Sequence, residues 1–447
     1  MKRIPALLDQ TQPQPLTLPE ARPIAVMEEI EIDEHKVDAE SAVQLKLCDA
    51  WEAHRVSRFT LLAAREVSTG CALAFHLCLS PAADKGDLLA LFSKMMHPWH
   101  IEPFTTQGIE QDPKGVIPKD IASLYQRASI GVVRLDNALI HLAERILYYI
   151  CDILCATLNL GVPGQALARQ LIEVTFRDLN ITVHNLPSSS GKNPADPRRE
   201  SRKNRKSAPE VSLRTLEEMI QARMLSANAR ELACLGGQTP VEALVYGLRH
   251  GWIPLHSPDV VSKRDPLLME EWVSVHNDHQ DTYCPYVVFM RSKYRNPGVI
   301  PRALVGTKVR IEYPYDDVRT LRVYTKTGQY LGELFAPKSW QRFVHGVRTK
   351  KCINKQIDKG GVTRKNPCTD YLNFVLSKRK SPTYTLELVR IAREFGLDLS
   401  VRDKKRRKTK PKRTSRPPRP QPSHTKPTDE ASVQVPDWFL GLHEDEQ

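Results

Sequence analysis

Polar and apolar residues alternate over Glu29, Ile30, Glu31, Ile32 and Asp33, which is the period of a half-buried strand. RFTLLAAREVS and CALAFHLCLS supply two further strands joined by a turn at Ser68–Gly70. Three sequential strands with short connections imply an antiparallel meander. Helical periodicity takes over across Asp84–Met96 (DKGDLLALFSKMM). A Gly/Pro-rich loop then leads to a helix near 119–128 and a strand at 130–135, and long helices are predicted over 138–158 and 164–183. The order βββαβαα predicts an α/β unit, a mixed sheet flanked by helices.

Farther along, SLRTLEEMIQARMLSANA reads as a helix, and LGGQTPVEALVYGLRHG as a turn followed by a second helix with Pro near its start. From about 299 the period becomes two: TKVRIEY, RTLRVYT and YLGELFA are strands, with Asp316–Asp317 and Lys326–Gly328 as turn chemistry. These make a small antiparallel barrel or sheet. The stretch 348–400 is basic and carries one helix candidate, TLELVRIAREFG. The expected divisions are an arm at 1–27, a first α/β domain at 28–190, a basic linker at 191–211, a helical connecting region at 212–298, a β-barrel at 299–347, a basic region at 348–400 and a disordered tail at 401–447. There is no internal repeat.

A chain of 447 residues, 41% apolar, has enough material for several cores. No apolar run reaches the roughly 18 residues of a membrane span, and the N-terminus lacks a signal-peptide core, so an intracellular soluble protein is expected. The nine cysteines show no zinc spacing and read as reduced, mostly buried thiols, with Cys151 and Cys155 one turn apart on an apolar helix face. The net charge of +13 is unevenly placed. Ten basic residues and no acidic one lie between Lys404 and Arg419, and Lys192–Lys206 holds seven basic residues against two acidic. Runs this dense suit a polyanion, because each phosphate neutralised releases counterions.

The junction between the strand at 130–135 and the helix from 138 carries Asp136. Alone, Asp136 or Asn137 is a helix cap. Two other acidic residues change its weight: Asp33 within the first strand, and Glu173, which falls opposite the apolar stripe Ala168, Leu171, Ile172, Thr175 and Leu179, with Arg169 and Arg177 one turn away on either side. By itself Glu173 is a surface glutamate laced to arginines. If the three carboxylates converge, their repulsion calls for divalent cations, and an all-oxygen donor set suits Mg²⁺ or Mn²⁺. Two such ions can activate a nucleophile and stabilise the leaving oxygen at phosphorus.

The segments IEIDEHKVD, VVRLDNA and GQALARQLIEVTFRDLN, followed by VHNLPSSSGKNPADPRR and LGGQTPVEAL, resemble the DDE integrase/transposase superfamily, and most closely the TnsB-type and phage Mu-type transposases of heteromeric transposons. The resemblance covers roughly 28–345. It implies an RNase H-like catalytic core, an Asp33/Asp136/Glu173 triad holding two Mg²⁺ ions, and a barrel behind the core. It further implies cleavage at transposon 3′ ends and direct transfer of the freed hydroxyl to target DNA, in a homo-multimer assembled on DNA in the bacterial cytoplasm, nucleoid-associated. The DNA-binding residues expected are Arg169, Arg177, Lys192, Arg198, Arg199, Arg202, Lys203, Arg205 and Lys206.

Beyond the basic tail the charge reverses: six acidic residues and no Lys or Arg follow from Asp429 onward. Within that stretch Trp438, Phe439, Leu440 and Leu442 are too few to bury themselves, so they form a docking peptide. The resemblance implies an AAA+ ATPase as its partner, with a second-strand endonuclease subunit as a further one. Two other readings stay open. One is a catalytically weakened DNA-binding or regulatory relative acting as a docking subunit; the other is a general RNase H-like nuclease without strand joining.

Overall fold

The computed structural model describes residues 24–47, 50–80, 82–97, 103–118, 124–135, 144–161, 170–186, 189, 211–256, 265–278 and 284–397. Its first unit is built around β1 (Glu29–Lys36), where Ile30 and Ile32 are fully buried, as the alternation requires. β1 pairs antiparallel with β4 (Thr60–Glu66), which pairs antiparallel with β5 (Ala72–Cys78). On its other side β1 runs parallel to β6 (Val132–Arg134), and β6 parallel to β7 (Thr157–Asn159). The order β5-β4-β1-β6-β7 therefore makes a mixed sheet with β1 at its centre. Gly131 admits β6 to this position, because a Cβ there would meet the Glu28 carbonyl at 2.7 Å.

Helices cover both faces. α1 (Lys85–Met96) packs on β4 and β5 and is capped by Asp84, whose carboxylate accepts from the Gly86 and Asp87 amides while Asp87 returns the contact. α2 (Glu144–Tyr148) opens into a π turn over Tyr149–Ile153, and α3 (Gln170–His184) lies against β1 and β4. Sandwiched between two helical layers, β4 is buried along its whole length.

The sheet departs from expectation in two places. A separate hairpin, β2 (Ser41–Leu47) with β3 (Ala50–Val56), is inserted between the first two strands. The predicted helix over 138–158 ends early, and β7 occupies residues it was to include. Of the helix expected near 119–128, residues 119–123 lie outside the described residues, and the described remainder holds a single turn, Tyr125–Arg127. The thiols also differ: Cys71, Cys78 and Cys368 are buried, whereas Cys151, Cys155 and Cys234 are exposed.

After the linker, α4 (Leu213–Ala229) and α5 (Pro240–His250) form as the pattern predicts. In LGGQTP, Gly236 and Gly237 adopt φ of 66° and 85°, a left-handed turn that glycine alone takes without strain, and Thr239 with Glu242 closes a capping box on Pro240. The helical connecting region stops there. Residues expected to belong to it form β8 (Leu268–His276), β9 (Tyr286–Phe289) and β10 (Ser292–Arg295). With β11 (Lys308–Pro314), β12 (Thr320–Tyr324) and β13 (Tyr330–Phe335) they close a six-stranded barrel in the order β10-β13-β12-β11-β8-β9. Val287, Val309, Ile311, Leu321, Val323 and Leu334 fill it. The basic region adds a short α6 (Lys338–Gln341) and three helices where one was expected: α7 (Val347–Asp358), α8 (Pro367–Ser377) and α9 (Pro382–Glu394). Among the described residues no helix is long and apolar enough to cross a membrane.

Two local features of the barrel and its helices are measurable. The β9–β10 turn places Met290 and Arg291 at φ of 46° and 62°, the mirror-image turn that hairpins favour but that ordinary side chains resist. Arg291 is exposed and its ion pair with Asp358 lies at the surface, so Arg291→Gly is expected to stabilise the fold by about 0.5–1 kcal/mol in urea unfolding. His345 is fully buried, donates from Nδ1 to the Phe343 carbonyl, and is held down to about 4 by burial. A histidine whose folded pKa lies below its unfolded one favours folding above the unfolded value, and the favour is lost as pH falls. Stability should therefore drop by roughly 3 kcal/mol between pH 6.5 and 4. His345→Gln should flatten the difference curve over that window.

Candidate functional site

Successive residues of a strand point to opposite faces. Ile30 and Ile32 face the core beneath α1, which leaves Glu31, Asp33 and His35 facing α3. Contacts confirm the assignment: the Ile172 amide donates to Glu31 Oε2 at 3.4 Å, and the His35 ring stacks on Phe176 at 4.9 Å with its Nε2 2.9 Å from Asn180 Oδ1.

Toward the start of β1 this face is closed by a polar clamp. Glu31 is buried, and its desolvation raises its pKa, opposed by the Ile172 amide and Arg134. Arg134 on β6 bridges Glu31 at 3.3 Å and also pairs with Glu29. Opposite Glu31 in the register stands Arg65 of β4, itself buried, which donates to the Leu171 carbonyl at 3.1 Å, to the Thr175 hydroxyl and to the Gly70 carbonyl. Neighbouring Glu66 is wholly buried and accepts from the Met27, Ser68 and Thr69 amides and both hydroxyls of the turn. The first turns of α3 are thus fixed to the sheet by ions and hydrogen bonds at Leu171, Ile172 and Thr175, on either side of Glu173.

Toward the end of β1 the face opens. A cleft of about 420 Å³ is lined by Asp33, Glu34, His35, Glu173, Phe176, Arg177, Asn180, Ile181 and His184. Asp33 is half-buried, with Oδ1 accepting from the Glu34 amide at 2.9 Å; Glu173 and Arg177 are exposed. Ile172, Thr175 and Leu179 bury the opposite side of α3, as its periodicity requires. The structure therefore brings Asp33, Glu173 and Arg177 to one concavity. Asp136, Arg169, Lys192, Arg198, Arg199, Arg202, Lys203, Arg205, Lys206, Trp438, Phe439, Leu440 and Leu442 lie outside the described residues.

His35, Phe176, Asn180 and His184 also line this cleft, although the sequence reading passed over them. The signal was present: His35 follows Asp33 by one strand period, and Asn180 and His184 follow Glu173 by two and three turns of helix. Burial lowers the His35 pKa, with the Asn180 hydrogen bond opposing. The ring is therefore biased toward its neutral form.

A second group of metal-type donors, His76, Cys78 and Asp87, gathers within 4.8 Å. It sits on the α1 side of the sheet: His76 stands opposite Leu62, which stands opposite Glu34. Asp87 Oδ2 already accepts from the Asp84 amide, and the same carboxylate contacts His76 and Arg348. That group works as a brace between β5, α1 and α7.

No family model matches the chain, and no curated protein matches it in sequence. Among solved structures it is similar to the catalytic core domain of BIV integrase, at 14% identity over 50% of this chain and 97% of that one, with a TM-score of 0.27. It is also similar to a chain of the simian T-cell lymphotropic virus intasome in complex with the PP2A regulatory subunit B56 gamma, at 10% identity over 65% of this chain and 77% of that one, with a TM-score of 0.27. Similarity at this level assigns no residue.

The clamp makes a measurable claim. Arg65→Met leaves the Leu171 and Gly70 carbonyls without their donor, which is expected to cost about 3 kcal/mol. Amide exchange should rise first across 171–176. A loss spread evenly over the sheet would show that Arg65 does not anchor α3.

Proposed function

We propose that the protein is a metal-dependent DNA transposase of the DDE type, with Asp33, Asp136 and Glu173 as the ligands of two Mg²⁺ ions, replaceable by Mn²⁺. The observation that carries this reading is that Asp33 on β1 and Glu173 on α3, remote in sequence, line one open cleft. For Asp136 the support is register. β6 runs parallel to β1 with Arg134 opposite Glu31, and Asp136 and Asp33 each follow by two residues. A strand continued in that register would set the two aspartates side by side, while Asn137 remains free to cap the next helix.

The donors suit the ions. Asp33 and Glu173 offer carboxylate oxygens at a solvent-open concavity, which matches a cation that prefers oxygen and keeps several waters. Bound there, a pair of such ions would supply an activated nucleophile and a stabilised leaving oxygen for in-line displacement at a phosphodiester. The chain's own residues do the positioning. Arg65, Glu31 and Arg134 hold α3 at a set distance from β1, so Glu173 and Asp33 cannot drift apart. Arg177, exposed in the same cleft, is assigned the role of a DNA phosphate contact.

Around this site the reading assigns transposon-end and target DNA as substrates. The basic residues Lys192, Arg198, Arg199, Arg202, Lys203, Arg205 and Lys206, with Arg169, act as phosphate contacts. Trp438, Phe439, Leu440 and Leu442 are assigned to docking on an AAA+ ATPase, and a second-strand endonuclease subunit completes the proposed set of partners. The DNA-bound form is proposed to be a homo-multimer. Cleavage frees a 3′-hydroxyl, which then attacks target DNA without a covalent protein intermediate.

A strand-transfer assay with a labelled transposon end in Mg²⁺ tests this directly. Asp33→Asn, Asp136→Asn and Glu173→Gln should each lose several kcal/mol of transition-state stabilisation, about 10³-fold in rate, while DNA binding persists. Metal-dependent cleavage absent from the native protein would leave the weakened docking relative as the better reading. Hydrolysis without joining would favour a nuclease.

A further inference from the structure

A second cleft lies away from Asp33 and Glu173, where the barrel meets the C-terminal helices. It measures about 570 Å³ and spans β10, the β13–α6 junction and α7. Its apolar lining comes from Phe335, Pro337, Trp340 and Ile357, with Phe335 exposed and Trp340 nearly buried. Lys338 and Arg364 stand exposed at its edge. Arg291, Lys293 and Arg295 add further positive charge, partly balanced by ion pairs to Asp358 and Asp278. An apolar floor with a cationic rim is poorly matched to a bare phosphate backbone, which rewards cations and gives apolar atoms nothing to cover. It matches a short aromatic segment flanked by acids.

The chain contains such a segment. Trp438, Phe439, Leu440 and Leu442 are preceded by Asp437 and followed by Glu444, Asp445 and Glu446, and residues 429–447 contain no Lys or Arg. The root of the tail is close to the cleft. Phe395, at the end of α9, stacks on Phe343 at 4.7 Å, and Phe343 lies three residues beyond Trp340. From there residues 398–428 can extend on the order of 100 Å, far more than is needed.

We propose that this cleft is the intramolecular dock for residues 429–447, with the aromatic cluster against Phe335 and Trp340 and the acids paired to Lys338 and Arg364. Docked there, the segment is shielded from other partners, and any protein that uses it must first draw it out of the cleft.

Zero-length carbodiimide cross-linking of the full chain, read by mass spectrometry, tests the proposal. Cross-links from Asp437 or Glu444–Glu446 to Lys338 or Lys293 are expected within a monomer, and Trp438→Ala/Phe439→Ala should reduce their yield about five-fold. The charge reversals Lys338→Glu and Arg364→Glu sit at exposed positions; an unchanged melting curve would confirm folding, and links to Lys293 should fall equally in that variant. Cross-links confined to Lys404–Lys412 would overturn the proposal, since the acids would then be pairing with the neighbouring basic run. Links between two chains would overturn it as well. So would a loss of DNA affinity on charge reversal that is equal with and without residues 429–447, because the cleft would then be a phosphate site.

Discussion

A buried ion must be satisfied or it unfolds the protein around it, and this constraint organises the α/β unit. Glu31 and Arg65 are withdrawn from water between β1, β4 and α3, with the half-buried Arg134 of β6 beside them, and each is placed where the others or a backbone group can meet it. An apolar contact would tolerate a helix sliding by a few tenths of an ångström. A guanidinium shared between the Leu171 carbonyl and the Thr175 hydroxyl does not. The clamp costs desolvation and returns geometric precision, and Glu173 lies within the segment of helix that it holds.

How much of this was legible in the sequence depends on whether burial followed the hydrophobic pattern. Ile30 and Ile32 were readable because the strand is apolar on one face only. The same alternation identified β11, β12 and β13. β8 escaped because only Met269 and Val275 of its nine residues are buried, so no period of two appears. β7 escaped because three residues with exposed ends carry no pattern. In α7 the inward positions Val347, Lys350 and Ile353 include a lysine. Lys350 is fully buried between the Tyr294 and Trp340 rings and held down to about 7 by that burial. A helix with a lysine in its core stripe reads from sequence as a solvated one.

The candidate site divides along the same line. Asp33, Glu173 and Arg177 were singled out as residue types, and the structure gathers them because strand and helix periodicity happen to aim them at one concavity. Arg65 and Glu66 looked like the polar end of a strand leading to a turn. The burial of Arg65 depends on α3 returning over β4 from more than a hundred residues downstream, whereas Glu66 is enclosed by Met27 and the Ser68–Thr69 turn; no local window of sequence contains the first of these facts.

The two faces of the sheet carry similar chemistry with different consequences, which sharpens what makes a site. Beneath α1, His76, Cys78 and Asp87 are close enough to share a ligand, yet Asp87 is committed to the Asp84 amide and Arg348. Burial lowers the pKa of both His76 and Lys94 there. A divalent cation entering would have to displace Arg348 and tolerate a neighbouring lysine. Beneath α3, Arg65 and Arg134 are drawn to the start of β1 by Glu29, Glu31 and the helix carbonyls, so they neutralise the clamp, while the cleft at the other end of β1 holds Asp33 and Glu173 with Arg177. Donor type alone does not distinguish the two faces. What distinguishes them is where the protein's own cations are already spent: on one face Arg348 is bound to Asp87, and on the other Arg65 and Arg134 are bound at the clamp, away from Asp33 and Glu173.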